Sequence, residues 1–122
     1  MTTAALWIGV ALLSGAGACL RFLLDAAVQR RRPGRLPLGI LVVNALGAFL
    51  LGLLHGAGVT GDELLLMGTA VLGSFTTFST WMVQSEQLAR EGEPGLALIN
   101  VAGSLAAGVA AIVLGWALGA AL

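Results

Sequence analysis

The sequence predicts an all-α membrane protein made of four transmembrane helices, and three observations support this fold class. Of the 122 residues, 58% are hydrophobic and only 10% are charged, with a mean hydropathy of +0.98, whereas a soluble domain needs more charge to cover its surface. Four apolar segments each reach the roughly 20 residues that cross the hydrocarbon core of a bilayer. The connections between them are short and polar, and each contains glycine or proline, as helix connections do.

We place the four spans at about residues 4–28, 37–57, 63–89 and 95–122, within a single domain. The first span has no basic region before it and is too long for a cleaved signal peptide, so we expect it to be retained. The single Cys19 has no partner for a disulfide. The sequence shows no nucleophile–base pair, metal-ligand cluster, phosphate-binding loop or large basic patch. This argues against catalysis and against nucleic-acid binding.

The third span contains a stretch that a simple membrane anchor does not need, Gly73-Ser-Phe-Thr-Thr-Phe-Ser-Thr-Trp81. Backbone polar groups at bilayer depth must be satisfied by protein or by water, and interrupted spans recur at the midplane ion sites of transport proteins. Gly73 permits backbone angles that other residues resist. We therefore predict a helix break at Gly73, with exposed carbonyl oxygens that suit a small cation such as sodium, beside an ion pathway.

Aromatic and hydroxyl side chains near this break are candidates for the ion path. Phe78 and Trp81 are three residues apart and share a helix face, and the positive edges of their rings offer a favourable contact to an anion. Thr77 and Thr80 can donate hydroxyl hydrogens along the same path. The alternative is that the two aromatic rings only pack the core of the bundle.

Polar side chains also occur inside the second and fourth spans. Asn44 stands alone among apolar residues, either as an interhelical hydrogen-bonding residue or as a donor amide that lines a pore. Asn100 and Ser104 lie one turn apart on one face of the fourth span. The alternative for these two residues is a hydrogen bond back to their own helix.

Arg21 lies late in the first span, and Asp25 follows one turn later. Either the two residues form a local ion pair at the membrane interface, or Arg21 lies at a vestibule that attracts anions. His55, near the end of the second span, is assigned no role.

Glycine accounts for 18 of the 122 residues, and most of these glycines lie inside the spans. Small residues let helix backbones approach closely within a membrane. The sequence places small faces on three helices, at residues 14–18, at Gly47 with Gly52, and at Gly103 with Gly108. Because four thin helices bury little lateral surface by themselves, we expect the protein to form oligomers.

Charged residues predict the orientation in the membrane. The first connection contains Arg30, Arg31, Arg32 and Arg35, and the third contains Arg90, whereas the second connection has no basic residue. By the positive-inside rule, the first and third connections are cytoplasmic and both termini lie outside. The bias of five arginines to none favours one fixed orientation.

Four motifs, in order across nearly the whole chain, resemble the fluoride channels of the Fluc (CrcB) family. They are Gly15-Ala-Gly-Ala-x-x-Arg21-Phe22, Gly39-Ile-Leu-Val-Val-Asn44-Ala-Leu-Gly47-x-Phe49, Gly73-x-x-Thr76-Thr77-Phe78-Ser79-Thr80 and Asn100-x-x-x-Ser104. The third motif is the most specific. The resemblance implies an antiparallel dimer with two fluoride pores and a structural sodium ion at its centre, held by the backbone carbonyls of Gly73 and Thr76. It also implies that Asn44, Phe78 and Ser104 lie along the ion path and that Arg21 lies near its mouth.

The chain departs from this family at three positions. Ile40 stands where threonine is common, Trp81 where a second phenylalanine is common, and Asn100 where tyrosine is frequent. Trp81 keeps a ring and adds an indole N–H donor, whereas Ile40 supplies no hydroxyl. Homodimeric members carry nearly balanced basic residues, so the arginine bias favours one half of a heteromeric pair with an oppositely oriented partner.

We therefore expect a membrane channel that passively conducts fluoride out of the cell across the cell membrane. One alternative is a non-conducting partner subunit of a heteromeric channel. Another is a small multidrug-type proton-coupled exporter, which needs a membrane-embedded carboxylate. Asp25, Glu63 and Glu86 all lie near the ends of spans, which disfavours the exporter.

Overall fold

The computed structural model describes all 122 residues, which form helices and no strand. Helix α1 covers Thr3–Arg31, α2 covers Leu38–Gly56 and α6 covers Pro94–Ala120. The third span is divided. Its first half comprises α3 (Gly61–Leu64), a π-helical segment (Leu65–Leu72) and α4 (Gly73–Phe75), and its second half is α5 (Ser79–Arg90). Four helical stretches, residues 3–31, 38–56, 61–90 and 94–120, are long and apolar enough to cross a membrane. The predicted fold of four spans with a broken third helix is confirmed.

Local sequence explains where several helices begin and end. The hydroxyl of Thr2 accepts a hydrogen bond of 3.2 Å from the first turn of α1 and caps that helix. Pro94 occupies the first turn of α6, where its missing N–H has no helical partner to lose. Gly58, Gly61 and Gly92 have positive φ values of 77°, 63° and 79°, which favour glycine. They allow tight reversals in the second and third connections.

The first and third connections lie at the same end of the bundle. Arg35 in the first connection forms an ion pair with Glu93 in the third, although the two residues are 58 positions apart. An exposed ion pair of this kind contributes little stability. It does bring the arginine-rich first connection next to the third, as the predicted topology requires.

Helices α2 and α6 form the most extensive contact in the subunit, and four glycines specify it. A Cβ atom added at Gly52 or Gly56 would overlap with the backbone of α6, and one added at Gly115 or Gly119 would overlap with the backbone of α2. Small residues on both helices allow this close approach. Any larger side chain at these positions would force the two helices apart.

Two other glycines allow the first half of the third span to pack closely against α1 and α2. A Cβ atom at Gly17 of α1 would overlap with Ser74 and with the carbonyl of Val71. A Cβ atom at Gly47 of α2 would overlap with the methyl group of Thr76. The glycines thus hold the end of α4 between α1 and α2.

The small face predicted on the fourth span does not pack inside the subunit. A Cβ atom added at Gly103 or Gly108 would have no atom of a neighbouring helix within 4 Å. Leu105 and Val109 beside them are 59% and 55% exposed. This part of α6 therefore presents an open, apolar face.

Candidate ion pathway at the helix break

The third span is interrupted at residues 76–78, between α4 and α5. Thr76 has an extended backbone, with φ −85° and ψ 159°. The prediction of a break at Gly73 itself is wrong, because Gly73 is helical, with φ −64° and ψ −35°. Glycine permits a break without requiring one, whereas the interruption three residues later is fixed by side chains from α1 and α2.

Asn44 of α2 holds the break through both ends of its amide group. Its Nδ2 donates to the backbone carbonyl of Thr77 at 2.8 Å, and its Oδ1 accepts from the backbone N–H of Thr77 at 2.8 Å. These two bonds replace the helical bonds that the Thr77 backbone would otherwise make. Asn44 therefore forms hydrogen bonds between helices, as the first of its two alternatives predicted. One N–H of Nδ2 remains free for a further acceptor.

The hydroxyl groups around the break bond locally. Thr76 Oγ1 donates to the Leu72 carbonyl at 3.0 Å, and Ser74 Oγ donates to the Ala70 carbonyl at 2.7 Å, so both return to their own helix. Thr77 Oγ1 accepts from the backbone N–H of Thr80 at 3.3 Å and donates to Thr80 Oγ1 at 3.2 Å. Thr77 therefore caps α5, and its own hydroxyl hydrogen is already engaged.

Arg21 also reaches the break. Its Nη1 donates to the backbone carbonyl of Thr76 at 3.3 Å, so the guanidinium lies at the break. Asp25 forms no ion pair with Arg21. The Asp25 Oδ1 atom is buried without a hydrogen-bond partner and faces Gly39 in the first turn of α2. Of the two alternatives for Arg21, the local ion pair with Asp25 is therefore wrong, because the two side chains point at different helices.

The aromatic pair at the break meets as its spacing predicts. The ring centroids of Phe78 and Trp81 are 5.7 Å apart at an interplanar angle of 89°, an edge-to-face contact. Phe78 is 68% exposed, so the alternative that this ring only packs the core of the subunit is wrong. Trp81 differs, because its indole N–H donates to the backbone carbonyl of Asn100 at 3.0 Å.

A polar cluster that sequence reasoning missed lies behind Trp81. Asn100 Nδ2 donates to Ser85 Oγ at 2.8 Å, and Ser85 Oγ donates to the backbone carbonyl of Trp81 at 2.8 Å. Asn100 therefore bonds across to α5 rather than back to its own helix. The signal in the sequence was the position of Ser85, one turn after Trp81 on the same helix face.

A groove of about 470 Å³ runs beside the break and brings most of the predicted site residues together. It is lined by α2, by both halves of the third span and by α6. The predicted residues among its lining are Asn44, Gly73, Thr76, Thr77, Phe78, Trp81 and Ser104. Arg21 and Thr80 do not line it. The subunit does not enclose the groove, and its lining includes the exposed side chains of Phe78, Leu105 and Val109.

Two backbone oxygens at the break are able to accept further ligands. The Gly73 carbonyl receives no hydrogen bond, because the N–H of Thr77, four residues later, is donated to Asn44. The Thr76 carbonyl accepts from Arg21 and retains a second lone pair. No group of three or more His, Cys, Asp or Glu side chains is placed to hold a metal ion. A cation at this site would therefore be held by carbonyl oxygens.

Comparison with known proteins places this architecture in a family. Residues 8–116 match the family model described as CrcB-like protein, Camphor Resistance (CrcB). The chain is 49% identical over 115 residues to a protein of Mycolicibacterium paratuberculosis named fluoride-specific ion channel FluC 2, and the match covers 94% of each chain. It is 48% identical over 100 residues to a FluC 2 of Haloarcula marismortui, with 82% of each chain covered. It is also 45% identical over 108 residues to a FluC 1 of Rubrobacter xylanophilus, covering 88% of this chain and 87% of the relative.

The match extends over all four spans and includes the break, the groove and the polar residues that line it. The four apolar helices and these relatives together identify a multi-pass membrane protein. The chain therefore belongs to the CrcB (Fluc) family, whose members are ion channels and not enzymes.

Proposed function

We propose that this chain is a channel subunit that conducts fluoride passively across the cell membrane. The observation that carries this proposal is the groove beside the break, where an amide, a hydroxyl and an exposed aromatic ring converge on one side of the subunit. We infer that the ion is fluoride because relatives at 45–49% identity are named fluoride-specific ion channels. No carboxylate lines the groove, which suits the passage of an anion.

Fluoride must replace its hydration shell with donors from the protein in order to pass. The free N–H of Asn44 and the hydroxyl of Ser104 supply two donors, and the ring edges of Phe78 and Trp81 carry partial positive charge. Thr77 lines the groove beside these donors, and Thr80, which does not line it, holds the Thr77 hydroxyl in place. A narrow pore with donors placed for a small ion disfavours the larger chloride ion.

The direction of transport follows from the acid chemistry of fluoride. Protonated fluoride is neutral and crosses a bilayer, and it dissociates in the more alkaline cytoplasm. The resulting anion cannot return through lipid. A passive channel then lets it leave down its electrochemical gradient, and the cytoplasmic fluoride concentration falls without a coupled energy source.

The open side of the groove supports assembly with a second subunit in the antiparallel orientation. Phe78 is 68% exposed in the groove, and Gly103 and Gly108 on the open face of α6 leave room for a close helix contact. An antiparallel pair brings two helix breaks together at one centre. The partner is a second copy or, as the arginine bias favours, a homologous chain of opposite orientation. Relatives named FluC 1 and FluC 2 fit a system of two chains.

A structural sodium ion fits the backbone of the break. The carbonyl of Gly73 lacks a donor and the carbonyl of Thr76 has a free lone pair, and sodium is a hard cation that prefers oxygen ligands. When bound, sodium would supply a fixed positive charge shared by the two subunits. The Arg21 guanidinium on Thr76 already supplies positive charge from the chain itself, which favours anions in the neighbouring path.

A non-conducting partner subunit is the second candidate, and two observations favour it. Ile40 is only 3% exposed and offers no hydroxyl, and the indole N–H of Trp81 is committed to Asn100. A proton-coupled exporter is disfavoured, because Asp25 and Glu86 do not line the groove and the exporter needs a carboxylate at its substrate site.

Fluoride efflux from liposomes separates these candidates. Purified chain inserted from detergent enters the bilayer in both orientations, so it is able to form antiparallel pairs without a second gene product. Fluoride release with chloride retained supports a conducting subunit. Release only after a homologous partner is added supports the non-conducting subunit. Uptake of a cationic dye driven by a pH gradient, with no fluoride release, would establish the exporter and overturn the proposal.

A further inference from the structure

The hydrogen bonds among Trp81, Asn100 and Ser85 form a closed cycle. The Trp81 indole donates to the carbonyl of Asn100, the Asn100 amide donates to the hydroxyl of Ser85, and that hydroxyl donates to the carbonyl of Trp81. The Ser85 hydroxyl both accepts from the Asn100 amide and donates to the Trp81 carbonyl, so these two bonds strengthen each other. Together with the indole bond they tie α5 to α6 at Trp81 and Asn100. We call this the Trp81–Asn100–Ser85 cycle.

Two members of the cycle are hidden from any permeating ion. Ser85 and Asn100 are 6% and 4% exposed, and neither lines the groove, whereas Trp81 does. A buried hydroxyl and a buried amide that satisfy each other within a membrane span are costly to leave unpaired. Trp81 is therefore the member of the cycle that meets the ion path directly.

The cycle constrains the plane of the indole ring. The bond from Nε1 to α6 excludes side-chain rotamers that turn the indole away from that helix. The indole in turn meets Phe78 edge to face at 5.7 Å, and this is the one aromatic contact that the exposed Phe78 ring makes. The orientation of Phe78 at the groove thus depends on the Trp81 indole, which is itself held by its hydrogen bond to the Asn100 carbonyl.

We propose that Trp81, Asn100 and Ser85 are positioning residues of the ion path. The cycle sets the plane of the Trp81 ring, and the Trp81 ring sets the direction of the Phe78 ring edge at the groove. The indole N–H is a structural donor and not a ligand of the ion. This inference rests on the proposed function, since it states what orients the rings of that path.

The first test removes one hydroxyl that no ion can reach. Ser85→Ala removes both hydrogen bonds of this hydroxyl, and we expect fluoride efflux from liposomes to fall at least about tenfold, since the loss of a single buried hydrogen bond already changes a population by about that factor. Ser85→Thr keeps the hydroxyl and should restore efflux. Gln87→Ala, which removes an exposed polar side chain from the same half-helix, is the matched control and should match the parent. Trp81→Phe keeps a ring but loses the N–H, and it should lose efflux as Ser85→Ala does.

The second readout follows the cycle itself. In a Trp7→Phe/Trp116→Phe background, Trp81 is the single tryptophan, and the ultraviolet resonance Raman band that reports hydrogen bonding at the indole N–H is assigned to it. We expect Ser85→Ala to shift this band toward a weaker hydrogen bond and Gln87→Ala to leave it unchanged.

The combined outcomes decide the proposal. A shifted band with reduced efflux supports it. A shifted band with parental efflux, or an unchanged band in Ser85→Ala, overturns it whatever the efflux is. If the parent protein releases no fluoride at all, the proposed function fails. The Raman band of the Trp81 indole then shows by itself whether the cycle orients the indole.

Discussion

Replacement of Asn44 by leucine tests whether this residue holds the helix break. Leucine has the same number and branching of side-chain heavy atoms as asparagine, so Asn44→Leu keeps the shape of the side chain while it removes both hydrogen bonds to the Thr77 backbone. The N–H of Thr77 then has no partner unless it turns back to the Gly73 carbonyl and extends α4. The substitution therefore favours a continuous helix over the broken geometry of the third span.

The magnitude follows from the two bonds that are lost. Interhelical hydrogen bonds inside membranes average about 0.6 kcal/mol each, and buried hydrogen bonds in proteins reach about 1.5 kcal/mol. The groove beside Asn44 is open, so water can partly satisfy the two freed groups. We expect Asn44→Leu to lower the free energy of unfolding by about 1–3 kcal/mol.

Unfolding in mixed micelles with increasing dodecyl sulfate, followed by circular dichroism, measures this free energy. His55→Ala is the control, because it removes an exposed polar side chain from the same helix without removing a hydrogen bond. Fluoride efflux should fall sharply in both Asn44→Leu and Asn44→Ala while both proteins still insert. Parental stability together with parental efflux in Asn44→Leu would refute the role of Asn44 at the break.

Three further outcomes test the remaining assignments. Phe78→Ala removes the exposed ring at the break and should sharply reduce fluoride efflux while the protein still inserts; normal efflux would show that the ring is not part of the path. Thr76→Val should retain sodium-dependent assembly, because the carbonyl is the proposed ligand, whereas Gly73→Leu should impair it; loss of sodium dependence in Thr76→Val alone would identify the hydroxyl as ligand. Cysteines placed in the 58–61 connection of a Cys19→Ser variant should react completely with an impermeant thiol reagent on intact cells, and labelling of only half the molecules would instead indicate dual orientation and a homodimer.

The sequence by itself determined the four spans and the presence of a break in the third. Apolar segments of about 20 residues have one stable arrangement in a bilayer, since every backbone group must bond within the segment. A hydroxyl-rich stretch inside such a segment indicates that the backbone groups there bond outside their own helix, so the helix is interrupted. That Phe78 and Trp81 lie on the same side of the chain also followed from their spacing of three residues.

Only the tertiary structure decided where the break lies and what holds it. Asn44 and Arg21 reach the break from 33 and 55 positions away, and no local pattern specifies such distant bonds. Sequence alone therefore assigned the break to Gly73 and left open whether Arg21 pairs with its neighbour Asp25. It also left the Trp81 N–H free, because its acceptor is a backbone carbonyl on another helix. Backbone acceptors carry no sequence signature, so a polar network built on them becomes visible only when the helices are packed together.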